Sequence, residues 1–175
     1  MLKKILIVLG ALVALFLVGG LLMSSDFKVT RKVTIQADVA RGHEMCGELR
    51  NWDKWAPWKE QDPTIVTTYG ATTTGVGASQ TWTGKDGAGE LTFTRCDPQQ
   101  GIAYDMAFIN GEQRMPAQSW MNYTASSGAV EVEWGMTGEM DMPIIGPYFA
   151  MMSDSMIGPM FQTGLAKLKS VCEAK

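Results

Sequence analysis

The chain is 175 residues long, 46% hydrophobic, 19% charged and 9% aromatic, with a formal net charge of −3. Its apolar residues crowd the start: Ile5 to Met23 is apolar apart from Gly10, Gly19 and Gly20, and no charge lies between Lys4 and Asp26. Residues 26–175 are enough for one ordinary domain with its own core, which excludes a disordered chain, a collagen-like chain and a multidomain enzyme. They hold 13 basic and 18 acidic side chains without a basic stripe, so the electrostatic footprint of a nucleic-acid-binding protein is missing.

As a helix, Ile5–Met23 would extend ~28 Å at ~1.5 Å per residue, close to the ~30 Å hydrocarbon core of a bilayer. The run is longer than the apolar region of a signal peptide, and Leu21-Leu22-Met23-Ser24-Ser25 offers no small-residue cleavage site. No cysteine follows it, which argues against a lipoprotein leader. Residues 1–25 therefore read as an uncleaved membrane anchor. Lys3 and Lys4 keep the N-terminus in the cytoplasm, and Lys28, Arg31 and Lys32 read as part of a folded strand. The domain, residues 26–175, is then expected outside the cytoplasm. Gly10-x-x-x-Ala14 has the spacing that packs two such helices, although small residues in a spanning helix explain it as well.

Phe27–Ala37 alternates, with Phe27, Val29, Arg31, Val33 and Ile35 on one face, as in a half-buried strand. Asp38 fits a helix N-cap, and Val39–Leu49 predicts a short helix weakened by Gly42 and Gly47. Trp52, Trp55 and Trp58 follow at intervals of three, closed by Pro57 and Asp62-Pro63. Strands are predicted over Thr64–Tyr69, Ala78–Thr83, Glu90–Cys96, Ile102–Ile109, Ala117–Ala125 and Ala129–Met136. Asp86-Gly87, Asn110-Gly111 and Ser126-Ser127-Gly128 mark the turns of an antiparallel meander. At the end, Phe161, Leu165, Leu168 and Cys172 form the stripe of an amphipathic helix, predicted to start near Pro159. Gly146–Ser155 reads as a separate, shorter helical piece. Cys46, Cys96 and Cys172 allow one disulfide plus a free thiol, or simply three small buried residues.

This order, with Trp52-Asp-Lys-Trp55-Ala-Pro57-Trp58 before Asp62-Pro63, Gly75-Val-Gly77-Ala78 leading to Trp82, and Phe161-Gln-Thr-Gly164-Leu165-Ala-Lys-Leu168-Lys near the end, resembles the START/birch-pollen-allergen-like superfamily, SRPBCC. The similarity is greatest to its polyketide cyclase/dehydrase-like group of bacterial proteins with an N-terminal anchor. The resemblance implies an α+β helix-grip fold: a seven-stranded antiparallel sheet wrapped around a long C-terminal helix, here preceded by a transmembrane helix. It implies an apolar cavity between sheet and helix for a lipid, sterol, polyketide or other hydrophobic small molecule, with enzymatic action in a minority of members and no cofactor. Together with the orientation read from Lys3 and Lys4, a bacterial chain of this kind is expected to be tethered to the inner membrane with its domain in the periplasm. Relatives often carry Val-Phe where this chain has Gly42-His43, so the first short helix should be looser. In this fold Cys46 and Cys172 are expected to approach each other and pair as a disulfide.

Ligand-binding candidates are the inward strand residues Trp82, Phe93, Arg95, Tyr104, Met106, Phe108, Met121, Trp134 and Met136, joined from the helical region by Met152, Met156 and Phe161. Methionine is unbranched and polarizable and lines cavities that adapt to ligand shape. Arg31 and Arg95, if inward, would hold an anionic ligand group or an acidic neighbour such as Glu90, Asp105 or Glu133. The mouth is expected between the Gly-rich second hairpin and the Met140–Ser155 connection. A catalytic reading would lean on His43, Tyr104 or Asp105 as acid or base. His43 is the only histidine, which removes most zinc sites. Gly75-Val-Gly77 precedes a strand rather than a helix, so it is no nucleotide loop.

Overall fold

The structure, a computed structural model, describes residues 1–174. Helix α1 (Leu2–Leu22) is exposed along almost all of its length, with Gly20 its one buried residue. It is long and apolar enough to cross a membrane, a property that signal sequences share. Strand β1 (Asp26–Ile35) follows, then α2 (Val39–Cys46), a 3-10 turn (Leu49–Lys54) and the single-turn helix α3 (Trp58–Gln61). Six more strands come next: β2 (Val66–Tyr69), β3 (Ser79–Gly84), β4 (Gly87–Asp97), β5 (Gly101–Asn110), β6 (Gln113–Ser126) and β7 (Ala129–Glu139). The chain closes with α4 (Gly146–Glu173).

The strands form one antiparallel sheet in the order β1-β7-β6-β5-β4-β3-β2. Every connection from β2 to β7 is local, and only β1 crosses over to pair with β7. This is the α+β helix-grip architecture. Alternation decides the faces: Val130, Val132, Trp134 and Met136 are buried on the inner face, whereas Lys32 on β1 bonds Glu131 and Glu133 across the outer face. The side chain of Asp38 accepts the Arg41 N–H and starts α2. Helix α4 runs beside β1 in the same direction. Arg31 pairs with Asp154 at 2.7 Å, and further along the Gln36 N–H donates to the Glu173 carboxylate at 2.6 Å.

The structure departs from two expectations of the sequence. Helix α4 is one helix of 28 residues with Pro159 inside it, not a short piece followed by a helix starting near Pro159. Proline removes the bond to the carbonyl four residues earlier. Ser155 and Pro159 are both exposed, so that carbonyl is open to solvent rather than buried without a partner, and the helix continues. The cysteines are also free thiols rather than a Cys46–Cys172 disulfide. The thiols have backbone or ring neighbours of their own. The Cys172 thiol donates to the Arg41 carbonyl at 3.9 Å, and Cys96 Sγ sits 3.8 Å from both the Gly47 carbonyl and His43 Nε2. Burial pushes the Cys46 thiol up to about 12, so at neutral pH it is protonated and inert.

Candidate functional site

The tryptophan motif divides the interior. The indole N–H groups of Trp55 and Trp52 donate to the carbonyls of Met45 and Cys46 at 3.0 and 2.8 Å. These are the last carbonyls of α2, which have no partner within the helix. So anchored, Trp55 meets Trp134 edge-on with ring centres 5.6 Å apart, and Trp58 does the same. Trp134 in turn stacks flat on Phe161 at 4.1 Å. Gly164 permits this approach, since a Cβ there would lie 2.7 Å from the Trp134 ring. This aromatic wall fills the space between the sheet and the second half of α4.

On the other side of the wall lies a cavity of about 380 Å³. Buried Trp52, Leu91, Tyr104 and Met136 form its floor. Trp58, Ile65, Trp82, Met106 and Met160 form its sides, and exposed Gln61, Asp86, Phe108 and Asn110 its rim. Trp82 meets Phe108 edge-on at 6.1 Å. Gly89, its partner across β3 and β4, has no side chain, and a Cβ there would overlap the indole.

The rim residues belong to the β3–β4 turn, the last residues of β5 and the end of α3. Gln113 pairs with Asn110, Ala117 with Gly138, and Gly138 with Phe27. The mouth is therefore at the end of the sheet where β1 emerges from α1. The Met140–Ser155 connection does not line it; from α4 only Met160 does.

Few polar groups face the cavity. Asp62 is 5% exposed. Its carboxylate accepts the Thr64 hydroxyl at 2.6 Å, the Thr64 N–H at 2.9 Å and the Lys85 N–H at 3.2 Å. These bonds, the Thr64 hydroxyl foremost, hold its carboxyl below the usual range. They also clip the segment after α3 to the β3–β4 turn. Burial pushes the Tyr104 phenol up to about 12, so it is neutral. Among the described lining residues none is lysine or arginine, and among the described residues no group of three His, Cys, Asp or Glu side chains could hold a metal ion.

Of the twelve residues singled out from the sequence, Trp82, Tyr104, Met106, Phe108 and Met136 line the cavity. Phe93, Met121, Trp134 and Phe161 are buried in packed core, between 0 and 1% exposed. Arg95 is on the outer face. A bulge at Thr94 makes Arg95 pair with Ala103 while Phe93 pairs with Tyr104, which turns Arg95 outward to donate to Asn122 Oδ1 at 2.5 Å. The inward position passes to Cys96. Met152 and Met156 sit on α4 with 52 and 58% of their surface exposed. Arg31 is taken by Asp154, on α4, rather than by Glu90, Asp105 or Glu133. The acid/base candidates are scattered. Tyr104 is in the cavity floor, Asp105 is exposed and accepts from Gln118, and His43 lies beside Cys96 and Tyr123, outside the cavity. Leu91, Ile65 and Met115 were missed. Leu91 alternates with Phe93 and Met115 with Met121, so both were legible; Ile65, between α3 and β2, reaches the cavity only through packing.

A family profile described as polyketide cyclase/dehydrase and lipid transport matches residues 26–173. The chain belongs to this family. Its SRPBCC-type fold recurs in solved structures. A Chromobacterium violaceum protein superposes with a TM-score of 0.63 at 12% identity, over 85% of this chain and 98% of that one. A hypothetical protein from Helicobacter pylori gives 0.62 at 10% identity, over 83% and 87%. A protein of the dynemicin biosynthetic locus gives 0.56 at 13% identity, over 84% of this chain and 47% of that one. At these identities the likeness is one of fold. No curated protein matches the sequence significantly. For a polyketide cyclase/dehydrase and lipid transport family member, a cavity between sheet and terminal helix is a site consistent with a hydrophobic small molecule.

Proposed function

We propose that the protein is a membrane-tethered binder of a hydrophobic small molecule, lipid-like or polyketide-like. Residues 1–25 anchor it in the inner membrane, and residues 26–175 hold the ligand on the periplasmic side. The observation that carries this reading is the cavity itself: about 380 Å³, lined largely by tryptophan, methionine, leucine and isoleucine, with Asp62, Gln80 and Tyr104 its buried polar side chains. Small-molecule sites occupy ~300–1,000 Å³. Each CH₂ removed from water contributes ~0.8 kcal/mol, so a ten-carbon chain supplies ~8 kcal/mol before association costs.

The charges of the lining also argue for the polar end of the ligand. Asp62 and Asp86 are acidic and none of the described lining residues is basic, so an uncharged or cationic polar end is favoured over a carboxylate. Binding is favoured over catalysis because the cavity's buried titratable groups, Asp62 and Tyr104, are held away from the neutral range, where acid/base groups work best.

Native mass spectrometry of the full chain, gently extracted in mild detergent, tests the proposal. A co-purified hydrophobic adduct is expected, as is a rise in Tm with long-chain alcohols or monoacylglycerols that exceeds the rise with fatty acids of equal length. An empty protein with no Tm shift across that panel would overturn it.

A further inference from the structure

We propose that the start of α4, from Ile145 to Met156, docks into the interface of the bilayer that α1 spans and so holds the cavity mouth against the membrane. This rests on the reading of α1 as an anchor. The outward line of α4 carries the inference. Ile145, Phe149, Met152 and Met156 follow at helical spacing and are 43, 40, 52 and 58% exposed. Pro147, Ala150 and Ser153, on the other side of the helix, are buried. Beyond Met156 the same line continues as Pro159, Thr163, Lys167 and Ser170. One face of one helix is thus apolar near α1 and polar away from it. Among the described residues after Met23, eight large apolar side chains are exposed, and five of them lie between Ile145 and Met156. A sixth, Phe108, is on the rim of the mouth.

Contacts with α1 set the depth. The Tyr148 ring stacks on Phe16 at 4.6 Å, and its hydroxyl donates to the Phe16 carbonyl at 2.7 Å. A Cβ at Gly20 would overlap the carbonyl oxygen of Ile144, so the paired glycines of α1 allow close approach. Phe16 lies ~9 Å inside the end of α1 at ~1.5 Å per residue. Interfacial helices sink their apolar face ~5–10 Å into the headgroup and acyl boundary. A bilayer that covers the exposed surface of α1 therefore continues over the start of α4. Between residues 140 and 160 the only charged side chains are Asp141 and Asp154, and Asp154 is paired with Arg31. With no basic residue in the patch, docking is apolar and needs neither anionic lipid nor low salt.

The test uses the full chain in phosphatidylcholine vesicles, carrying an environment-sensitive NBD label on Met152→Cys or, as a control, on Val76→Cys. Val76 is 69% exposed and lies before β3, at the opposite end of the sheet. The chain without an added cysteine measures background labelling. Lipid carrying a doxyl quencher high on its acyl chain is expected to quench the label at 152 several-fold and leave the label at 76 unchanged, at low and high salt alike. Equal, water-like emission at both positions would overturn docking. In a second arm, Ile145→Glu with Phe149→Glu is expected to slow uptake of a fluorescent monoacylglycerol from vesicles about ten-fold, equivalent to ~1.4 kcal/mol, while binding of that probe from micelles is unchanged. Uptake at the wild-type rate would also overturn docking. If the wild type fails to bind the probe even from micelles, the binding proposal fails, and quenching at 152 still decides docking by itself.

Discussion

Trp134 joins the sheet to the helix. It is fully buried, its indole N–H donates to Ser119 Oγ at 3.3 Å, and the Ser119 hydroxyl donates to the Gly135 carbonyl at 2.7 Å. Trp134→Ala would remove the centre of the aromatic wall and is expected to destabilise the fold by ~3–5 kcal/mol, read from urea unfolding. His43 makes a different kind of contribution. Burial lowers its pKa from 6.5, against a smaller opposing pull from Asp97, and its Nδ1 is buried without a partner. A folded pKa below the unfolded one means that the stability is full above the unfolded value and is lost as the pH falls through the lowered one. Tm should therefore decline on the acid side of 6.5, and His43→Phe should flatten that part of the Tm–pH profile.

At the scale of elements, α4 does two jobs with one helix. Its second half packs Phe161, Leu165 and Leu168 onto the sheet, while its first half reaches α1. Pro159 sits between the halves on the solvent side. A helix-interior proline is ~3 kcal/mol less favourable than alanine. Pro159→Ala should raise local helix stability by up to ~3 kcal/mol, offset in part by the looser unfolded chain. Hydrogen exchange of the amides around Ser155 to Thr163 would show it as slower exchange, with the rest of the sheet unchanged. The bulge at Thr94 acts at the same scale: one extra residue moves Arg95 to the outer face and Cys96 to the inner one, and keeps a guanidinium out of the apolar interior.

For the whole molecule, the cavity exchanges stability for capacity. Packed interiors tolerate few voids, so a space of this size left between sheet and helix forfeits contacts that the proposed ligand would restore. A ligand at a concentration ~100 times its Kd adds ~2.7 kcal/mol to the stability. Met106→Trp, in the side of the cavity beside Leu91, should abolish that ligand-dependent rise in Tm while changing the Tm of the empty protein little. A variant that still gains the full shift would move the binding site elsewhere.

The division between sequence and tertiary structure follows from what periodicity can report. Alternation in β1 and β7, the turns at Asp86-Gly87 and Asn110-Gly111, and the stripe from Phe161 to Cys172 identify the elements and their apolar faces, because each depends only on local geometry. The seven strands, their antiparallel course and the closing helix were legible in that way, and the tryptophan, glycine and C-terminal motifs pointed to the family. What an apolar face meets is a separate question that only packing answers. Trp134 and Met136 are two residues apart on one face of β7, yet one is sealed in the aromatic wall and the other opens on the cavity. Met156 and Met160 are one turn apart on α4, yet one faces outward and the other lines the void. The sequence by itself determined the elements and the hydrophobic character of the interior. Only the tertiary structure decided where that interior is left empty and at which end it opens, because a void is made by surfaces that meet from distant parts of the chain.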